Sequence, residues 1–275
     1  MTLSTIRNNP AKQKKVKTKK QKAIAATCAV AFWLLVWHVV SLCVGSEIVL
    51  VSPVKVVQTL FTVIFDPDFL KTVWYSAARI LGGFFTALTL GTVLGWVASR
   101  FWVVETLLRP ITAVIKATPV ASFIILVLLW FSGKNLSVII SMLMVFPVIY
   151  MNVLEGIRSA DEKLLEMAQV FRLSVGKKLL YIYLPAVAPF FVSACSVSLG
   201  LCWKSGIAAE VIGTPDGSIG AVFYQAKIFL QTSELLAWTV GVVAVSVAFE
   251  KLFMFLLRLI LKKLKMEDVL NGKRA

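Results

Sequence analysis

EGIRSADEKLLEMAQVFRLSVGKKLLYIYLPAVAP, residues 155–189, is the polar stretch on which the interpretation of the whole chain depends. A capping box of Ser159 and Glu162 predicts a helix start, because each side chain can satisfy a free backbone N–H of the first turn. Apolar residues then recur at helical spacing, namely Leu164, Leu165, Ala168 and Phe171. Ser174 is expected to cap a second short helix, and Pro185 to begin the next apolar helix. We expect two short helices, joined by a turn near residues 172–174, outside the bilayer.

The composition places the chain in a membrane. Of its 275 residues 59% are hydrophobic and 16% charged, whereas about a quarter of the residues are charged in soluble domains. The net charge of +15 could suggest nucleic acid, but the lysines cluster at the ends of apolar runs. Basic clusters there set topology and attract anionic lipid. We therefore predict an all-α integral membrane protein that contacts lipid and does not bind nucleic acid.

Six apolar segments are long enough to cross a hydrocarbon core of about 30 Å. They cover residues 23–45, 75–99, 111–131, 136–154, 186–212 and 237–260. Pro119 is expected to break the third segment and Pro147 to bend the fourth, while Gly91 and Gly95 have the spacing that lets two helices approach closely. Residues 133–135 are expected to form a tight turn, and residues 213–236 a polar connector. A surface helix over 54–61 is expected to precede a turn at residues 66–68.

The distribution of basic residues predicts the orientation. With the N-terminus in the cytoplasm, most of the 29 lysines and arginines fall on the cytoplasmic side. Both termini and the loop 155–184 are then cytoplasmic. The chain divides into a basic tail (1–22), a first span with an extracytoplasmic connector (23–74), a membrane core that includes the loop (75–260), and a second basic tail (261–275).

The residues argue against an enzyme. Lys204-Ser205 is the nearest match to the end of a phosphate-binding loop. The motif is not present there, because Trp203 stands where it requires glycine. A single histidine, His38, cannot supply a catalytic or metal constellation. The four cysteines lie within apolar segments without C-x-x-C spacing, so we expect buried apolar fillers. We predict no metal site and no cofactor bound by this chain.

Ionisable residues within the apolar segments are the candidates for a substrate pathway, because they are costly in lipid and usually face a cavity. They are Arg79, Lys116, Lys204 and Glu210, with Glu250 and Lys251 expected to form a local pair near the inner end. The alternative for Arg79, Lys204 and Glu210 is a place at the outer interface or pairing between helices. The excess of positive charge favours an anionic substrate.

Glu166-Met167-Ala168, Gly176 and the later Ile182-Tyr183-Leu184-Pro185 resemble the EAA loop of ABC-importer permeases. Two positions depart from that pattern: Met167 replaces the first alanine, and Arg172 stands where the family has a glycine. Further similarity to permeases of the nitrate/sulfonate/taurine type extends over about residues 50–260. The segments concerned are Ser76-Ala77-Ala78-Arg79, Leu108-Arg109-Pro110, Thr118-Pro119, Trp203-Lys204 and Ala208-Ala209-Glu210.

The resemblance implies a type I ABC-importer transmembrane fold in the bacterial plasma (inner) membrane. It also implies partners: a second permease copy, expected to form a homodimer, two cytoplasmic ATP-binding subunits that hold ATP and magnesium, and an extracytoplasmic substrate-binding protein. The implied coupling residues are Glu166, Met167, Ala168, Arg172 and Gly176. Trp203, Lys204 and Glu210 fall in the segment that borders the pathway, beside the candidates Arg79 and Lys116.

Alternative functions stay open at this point. The nutrient is expected to be small and anionic, but a heterocyclic vitamin precursor is compatible with the same type of importer. The protein could also be a secondary transporter or channel that works without ATP. Such a protein is expected to contain internal repeats and broken helices in matched halves. A membrane scaffold is a third possibility, in which partners bind without any ATPase stimulation.

Overall fold

The computed structural model describes the backbone of residues 19–264 and the side chains of residues 24–264. All regular elements in this part are helical. They are α1 (Lys19–Val44), α2 (Pro53–Ile64), α3 (Phe69–Arg100), α4 (Trp102–Ala117), α5 (Val120–Leu128), α6 (Gly133–Arg158), α7 (Glu162–Val170), α8 (Val175–Lys178), a π-helical turn (Leu179–Tyr183), α9 (Leu184–Gly213), α10 (Ile219–Ile228) and α11 (Thr232–Lys263). The predictions for most of the two basic tails fall on residues 1–18 and 265–275, outside the described residues.

Within residues 19–264, five helical segments are long and apolar enough to cross a membrane: α1, α3, α6, α11 and the run from Val175 to Gly213. The predicted third span over 111–131 falls on two helices, since α4 and α5 meet there at an angle of 106°. The break lies at Thr118-Pro119, close to where the sequence predicted it. A proline disfavours helical geometry in the residue before it, and Thr118 is extended, with φ −81° and ψ 132°. Six spans result when this bent pair counts as one.

Two predicted irregular segments are helical. The tight turn predicted at residues 133–135 is wrong, because α6 starts at Gly133 with Ser132 in extended geometry at the N-cap. The connector 213–236 contains a helix of ten residues, α10, capped by the side chain of Ser218. The sequence Ser218-Ile219-Gly220 is compatible with a helix start, but no helix was predicted within this connector.

Helices α3, α6 and α9 form the core, with α6 between the other two. Glycines set their separation. A Cβ added at Gly83 would lie 2.4 Å from the carbonyl oxygen of Val138, and one at Gly91 would lie 2.9 Å from the Cβ of Ile149. A Cβ added at Gly95 would lie 3.0 Å from the Cγ1 of Val153 on α6. The prediction that Gly91 and Gly95 permit close helix approach is therefore confirmed, since a larger residue would force α3 and α6 apart.

The remaining long helices lie at the periphery. Only 6% of the apolar window of α1 is buried. Helix α11 packs against α2, α9 and α10, and the ring centre of its Trp238 lies 5.0 Å from that of Phe69, the first residue of α3, with the two rings tilted by 40°. The predicted surface helix is present as α2, followed by the predicted turn, in which the Asp68 N–H donates to Asp66 Oδ1 at 2.8 Å.

Contacts between helix ends define two ends of the bundle. At the end that carries residues 155–184, the loop end, Arg158 on α6 pairs with Glu105 on α4. At the opposite end, the far end, the start of α6 meets the end of α9, where Gly133 packs on Gly213. Helix α9 therefore runs from the loop end to the far end.

Candidate functional site

The loop segment, residues 155–184, contains two short helices as predicted, α7 and α8. Its predicted capping box is wrong. Asp161 is the N-cap of α7, and its Oδ1 accepts the Lys163 N–H at 2.9 Å. Ser159 is instead the C-cap of α6, and its hydroxyl donates to the Gly156 carbonyl at 2.8 Å. Its backbone is helical, whereas an N-cap residue needs extended geometry.

The turn between α7 and α8 ends α7 at a residue in the left-handed backbone conformation. Arg172 has φ +48°. The Leu173 N–H donates to the Ala168 carbonyl at 2.9 Å, and the Arg172 N–H donates to the Gln169 carbonyl at 3.0 Å. These two bonds form a Schellman motif, whose left-handed position is most often glycine. The predicted turn is confirmed, and its geometry explains why a glycine suits the position that Arg172 occupies.

The two faces of α7 differ sharply. Ala168 is 1% exposed and packs against Ala160, Ile182 and Ala186 of the same chain. Other positions of α7 and its C-cap leave large apolar side chains in solvent, and Val170 and Phe171 are 80% and 70% exposed. Further exposed apolar residues are Leu164, Met167 and, on α8, Val175. An exposed apolar patch of this kind is typical of a surface that contacts another protein or a membrane.

The loop segment is continuous with a membrane helix. Helix α8 passes through the π-helical turn into α9, and the Leu184 N–H still bonds to the Leu179 carbonyl. The run from Val175 to Gly213 counts as one apolar segment of 39 residues. Pro185 stands at the start of α9, as predicted. No irregular segment therefore separates α8 from α9.

The predicted coupling residues all lie in this segment. Glu166, Met167, Arg172 and Gly176 are exposed, and only Ala168 is buried. The structure thus separates a residue that holds the segment to its own chain from residues that are open to a partner. The coupling role of these five residues stays a prediction.

Glu210 lies at the far end and is fully buried. Its Oε2 accepts the Ser76 hydroxyl at 2.7 Å and the Gly220 N–H at 3.4 Å. Ser76 in turn accepts the Ile219 N–H at 2.9 Å. The carboxylate therefore joins α9 to α3 and α10, which corresponds to the pairing alternative considered for this residue.

Two further pathway candidates are packed within the chain. The Arg79 guanidinium donates to the Lys134 carbonyl and lies 4.1 Å from the ring centre of Tyr75. Trp203 is buried in the main core between the helices. The structure therefore does not bring the five pathway candidates into one cavity of this chain.

Lys116 and Lys204 are exposed instead. The Nζ of Lys116 approaches the Met151 sulfur at 3.5 Å, just before the break between α4 and α5. Lys204 lies on an open face of α9 that also carries Ser193, Val197 and Gly200, at helical spacing. Nothing lies within 4 Å of a Cβ added at Gly200. The pathway role of the candidates stays a prediction.

Other expectations are corrected by the side-chain contacts. Glu250 does not pair with Lys251, because its Oε1 accepts the Ser196 hydroxyl of α9 at 2.9 Å. Cys195 and Cys202 are buried as expected, but Cys28 and Cys43 are exposed. Among the described residues no group of three or more His, Cys, Asp or Glu side chains is placed to hold a metal ion.

The sequence did not reveal the partners of Glu210 or the Arg158–Glu105 pair. Ser76 and Glu210 are 134 residues apart, and Arg158 and Glu105 are 53 apart. No local pattern links residues at such separations. The one available signal was Ser218, a good N-cap residue that precedes Ile219 and Gly220.

Comparison with known proteins agrees with this architecture. Residues 87–266 match the family described as "Binding-protein-dependent transport system inner membrane component". A putative aliphatic sulfonates transport permease protein of Bacillus subtilis is 30% identical over 207 residues, which cover 74% of each chain. The taurine transport system permease protein of Escherichia coli is 27% identical, over 73% of this chain and 75% of its own. A nitrate import permease protein of Synechocystis is 25% identical, over 74% and 76%.

These matches confirm the resemblance to ABC-importer permeases of the nitrate/sulfonate/taurine type. They also confirm an all-α transmembrane fold of the type I importer class and a multi-pass location in the bacterial plasma membrane. The protein is a transport component. The chain belongs to the family of inner-membrane components of binding-protein-dependent transport systems.

Proposed function

We propose that this chain forms the substrate pathway of an ATP-driven importer for a small anionic nutrient and couples that pathway to separate ATP-binding subunits. The observation that carries the proposal is the two-faced α7. Ala168 fastens it to the chain, while Met167, Val170 and Phe171 are exposed to solvent. That arrangement suits a helix that docks into an apolar groove of a partner.

The partner supplies the chemical energy. In this proposal two cytoplasmic subunits bind ATP and magnesium and hydrolyse the nucleotide, and each receives the loop segment of one permease copy. A second copy of this chain completes the pathway. An extracytoplasmic binding protein delivers the substrate, in keeping with the family's description as a binding-protein-dependent system.

Coupling requires that the loop segment bind the two nucleotide states of its partner with different free energies, since a ligand shifts a conformational equilibrium only by its differential affinity. Because α8 continues into α9, a shift of the docked segment moves one wall of the membrane core directly. Alternating access then consists of the exchange of an inward opening for an outward one.

The relatives and Lys204 favour an anionic substrate. The relatives are named for aliphatic sulfonates, taurine and nitrate. Lys204 is exposed nine residues before the end of α9, about 14 Å along the helix. A lysine facing hydrocarbon at such depth costs about 2.5–3.5 kcal/mol on insertion scales. An aqueous pathway or a second copy of the chain on this face removes that cost, and the ammonium group then attracts anions.

The test compares substitutions at exposed positions of α7 and its C-cap. Phe171→Asp and Glu166→Lys change predicted docking positions, and we expect both to abolish uptake while the protein still inserts into the membrane. Gln169→Asp is the matched control for Phe171→Asp, because it adds the same charge about 200° around the helix from Phe171. Ala168→Asp also abolishes uptake, but through the buried cluster with Ile182 and Ala186.

Uptake is measured in membrane vesicles, with insertion checked by the amount of protein in the membrane fraction. Loss of uptake in Phe171→Asp with normal uptake in Gln169→Asp supports docking through the apolar face. Normal uptake in Phe171→Asp and Glu166→Lys contradicts the proposal and favours a transporter that works without ATP.

A further inference from the structure

The first turn of α10 takes its hydrogen-bond acceptors largely from other helices. The first backbone N–H groups of any helix lack partners within it. In α10 the Ala221 N–H donates to the N-cap Ser218 hydroxyl at 3.0 Å. The Ile219 N–H donates to Ser76 on α3 at 2.9 Å, and the Gly220 N–H donates to Glu210 on α9 at 3.4 Å. All three groups therefore have an acceptor, and two of the acceptors belong to membrane-spanning helices.

The helix dipole of α10 and the small size of Gly220 also favour the attachment of α10 to α9. A carboxylate at a helix N-terminus is stabilised by the positive end of the helix dipole, and Glu210 occupies that position against α10. A Cβ added at Gly220 would lie 2.3 Å from the Glu210 Cβ and 2.4 Å from the Val211 nitrogen. Glycine at this position thus lets α10 rest directly on the backbone of α9.

Helix α9 links this attachment to the other end of the molecule. It extends over 30 residues, about 45 Å, from the loop segment to Gly213. Glu210 lies in its last turn, while Ala186 in its first turn packs against Ala168 of α7. One continuous helix therefore contacts α7 at one end and α10 at the other.

We infer that Glu210, together with Ser76, is a positioning residue for transport, which fastens α10 to α9 so that the far-end helix moves with the helix that starts in the loop segment. The inference depends on the proposed function, because the movement is driven there by the docked ATP-binding subunits. Under this assignment Glu210 needs no contact with the substrate.

The opposing explanation is that α10 stays in place by apolar packing alone. Ile219 and Ala226 are buried, and α10 also contacts α11. Under that explanation the removal of the carboxylate or of its hydroxyl partner would leave α10 attached. A buried donor or acceptor that loses its partner is left unsatisfied at a high cost, so the loss of these bonds is expected to raise the detached fraction of α10 about tenfold or more.

The experiment measures this detached fraction with a buried cysteine. Ala226→Cys places a thiol on α10 at a site that is 3% exposed, in a background where Cys28→Ser and Cys43→Ser remove the exposed thiols. The thiol can react only when α10 separates from α9. The rate of maleimide labelling of the purified protein therefore measures how often α10 is detached. Glu210→Gln and Ser76→Ala are each expected to raise this rate about tenfold or more.

Two further variants serve as controls. Ser198→Ala changes a fully buried serine of α9, whose hydroxyl has no partner among the described residues, and its labelling rate should match that of the parent protein. Ser76→Thr keeps the hydroxyl and should restore slow labelling. If Glu210→Gln fails to accumulate, Ser76→Ala with its threonine rescue decides the question.

The functional readout is the amount of nutrient imported per ATP hydrolysed by the complete complex. Glu210→Gln and Ser76→Ala should lower this ratio, and Ser76→Thr should restore it. Unchanged labelling or an unchanged ratio in both variants overturns the assignment. A parent chain that shows no ATPase partner overturns the proposed function instead, and the labelling result does not depend on it.

Discussion

Gly82 and Gly83 are neighbours on α3, and alanine is expected to have opposite effects on stability at the two positions. A Cβ at Gly83 would lie 2.4 Å from the Val138 carbonyl oxygen and 2.8 Å from the Ser141 Cβ, whereas nothing lies within 4 Å of one at Gly82. Because the closest atom is backbone, α3 and α6 must separate to relieve the contact at Gly83. Replacement of glycine by alanine in a helix interior gains about 0.5–1 kcal/mol, and overpacking of a core costs about 1–3 kcal/mol.

The gain in helix propensity is common to both variants, so their difference isolates the overpacking cost of about 1–3 kcal/mol. At roughly 2–4 °C per kcal/mol for a chain of this size, Gly83→Ala should unfold about 2–12 °C below Gly82→Ala. Thermal unfolding of the purified protein in detergent, followed by circular dichroism and size-exclusion chromatography, measures the difference. Equal unfolding temperatures would refute the close α3–α6 contact on which the core arrangement depends.

Three further predictions concern the loop segment, the loop end and the pathway. Arg172→Gly removes the cost of a side chain at φ +48°, about 1 kcal/mol, and should slow amide exchange in α7 about fivefold; unchanged exchange would contradict the assigned turn. A double-mutant cycle of Arg158→Ala and Glu105→Ala should give a coupling below about 1 kcal/mol, because both side chains are partly exposed, and the coupling should shrink at high salt; a large coupling that salt does not affect would show a desolvated pair. Lys204→Gln should raise the KM for an anionic substrate while Lys204→Arg largely preserves it, and an unaltered KM in uptake assays would remove Lys204 from the pathway.

Patterns that depend on neighbouring residues were predictable from the sequence. The spacing of Gly91 and Gly95 predicted a close helix contact, and each glycine does lie against α6. The break near Pro119 and the turn near Arg172 were also predicted, because proline and left-handed residues act on the adjacent backbone. The pattern could not supply the 106° angle between α4 and α5, since that angle is determined by contacts with other helices.

Features that depend on distant residues or on competing local contacts were not predictable. Ser159 was a plausible N-cap, but its hydroxyl bonds back to Gly156 and Asp161 caps α7 instead. Glu210 was recognised as costly in a membrane helix, yet nothing in the sequence identified Ser76 and Gly220 as its partners. Its burial at the start of α10 follows from the tertiary arrangement of three helices.

Copurification tests the central claim that the loop segment docks on ATP-binding subunits. The tagged chain is purified from its native membranes as the wild type, as Phe171→Asp and as Gln169→Asp, and ATPase activity is measured in each preparation. We predict that ATP-binding subunits and their activity accompany the wild type and Gln169→Asp, and that Phe171→Asp loses both while remaining in the membrane. Retention of the ATPase by Phe171→Asp, or its absence from the wild type, would contradict the claim.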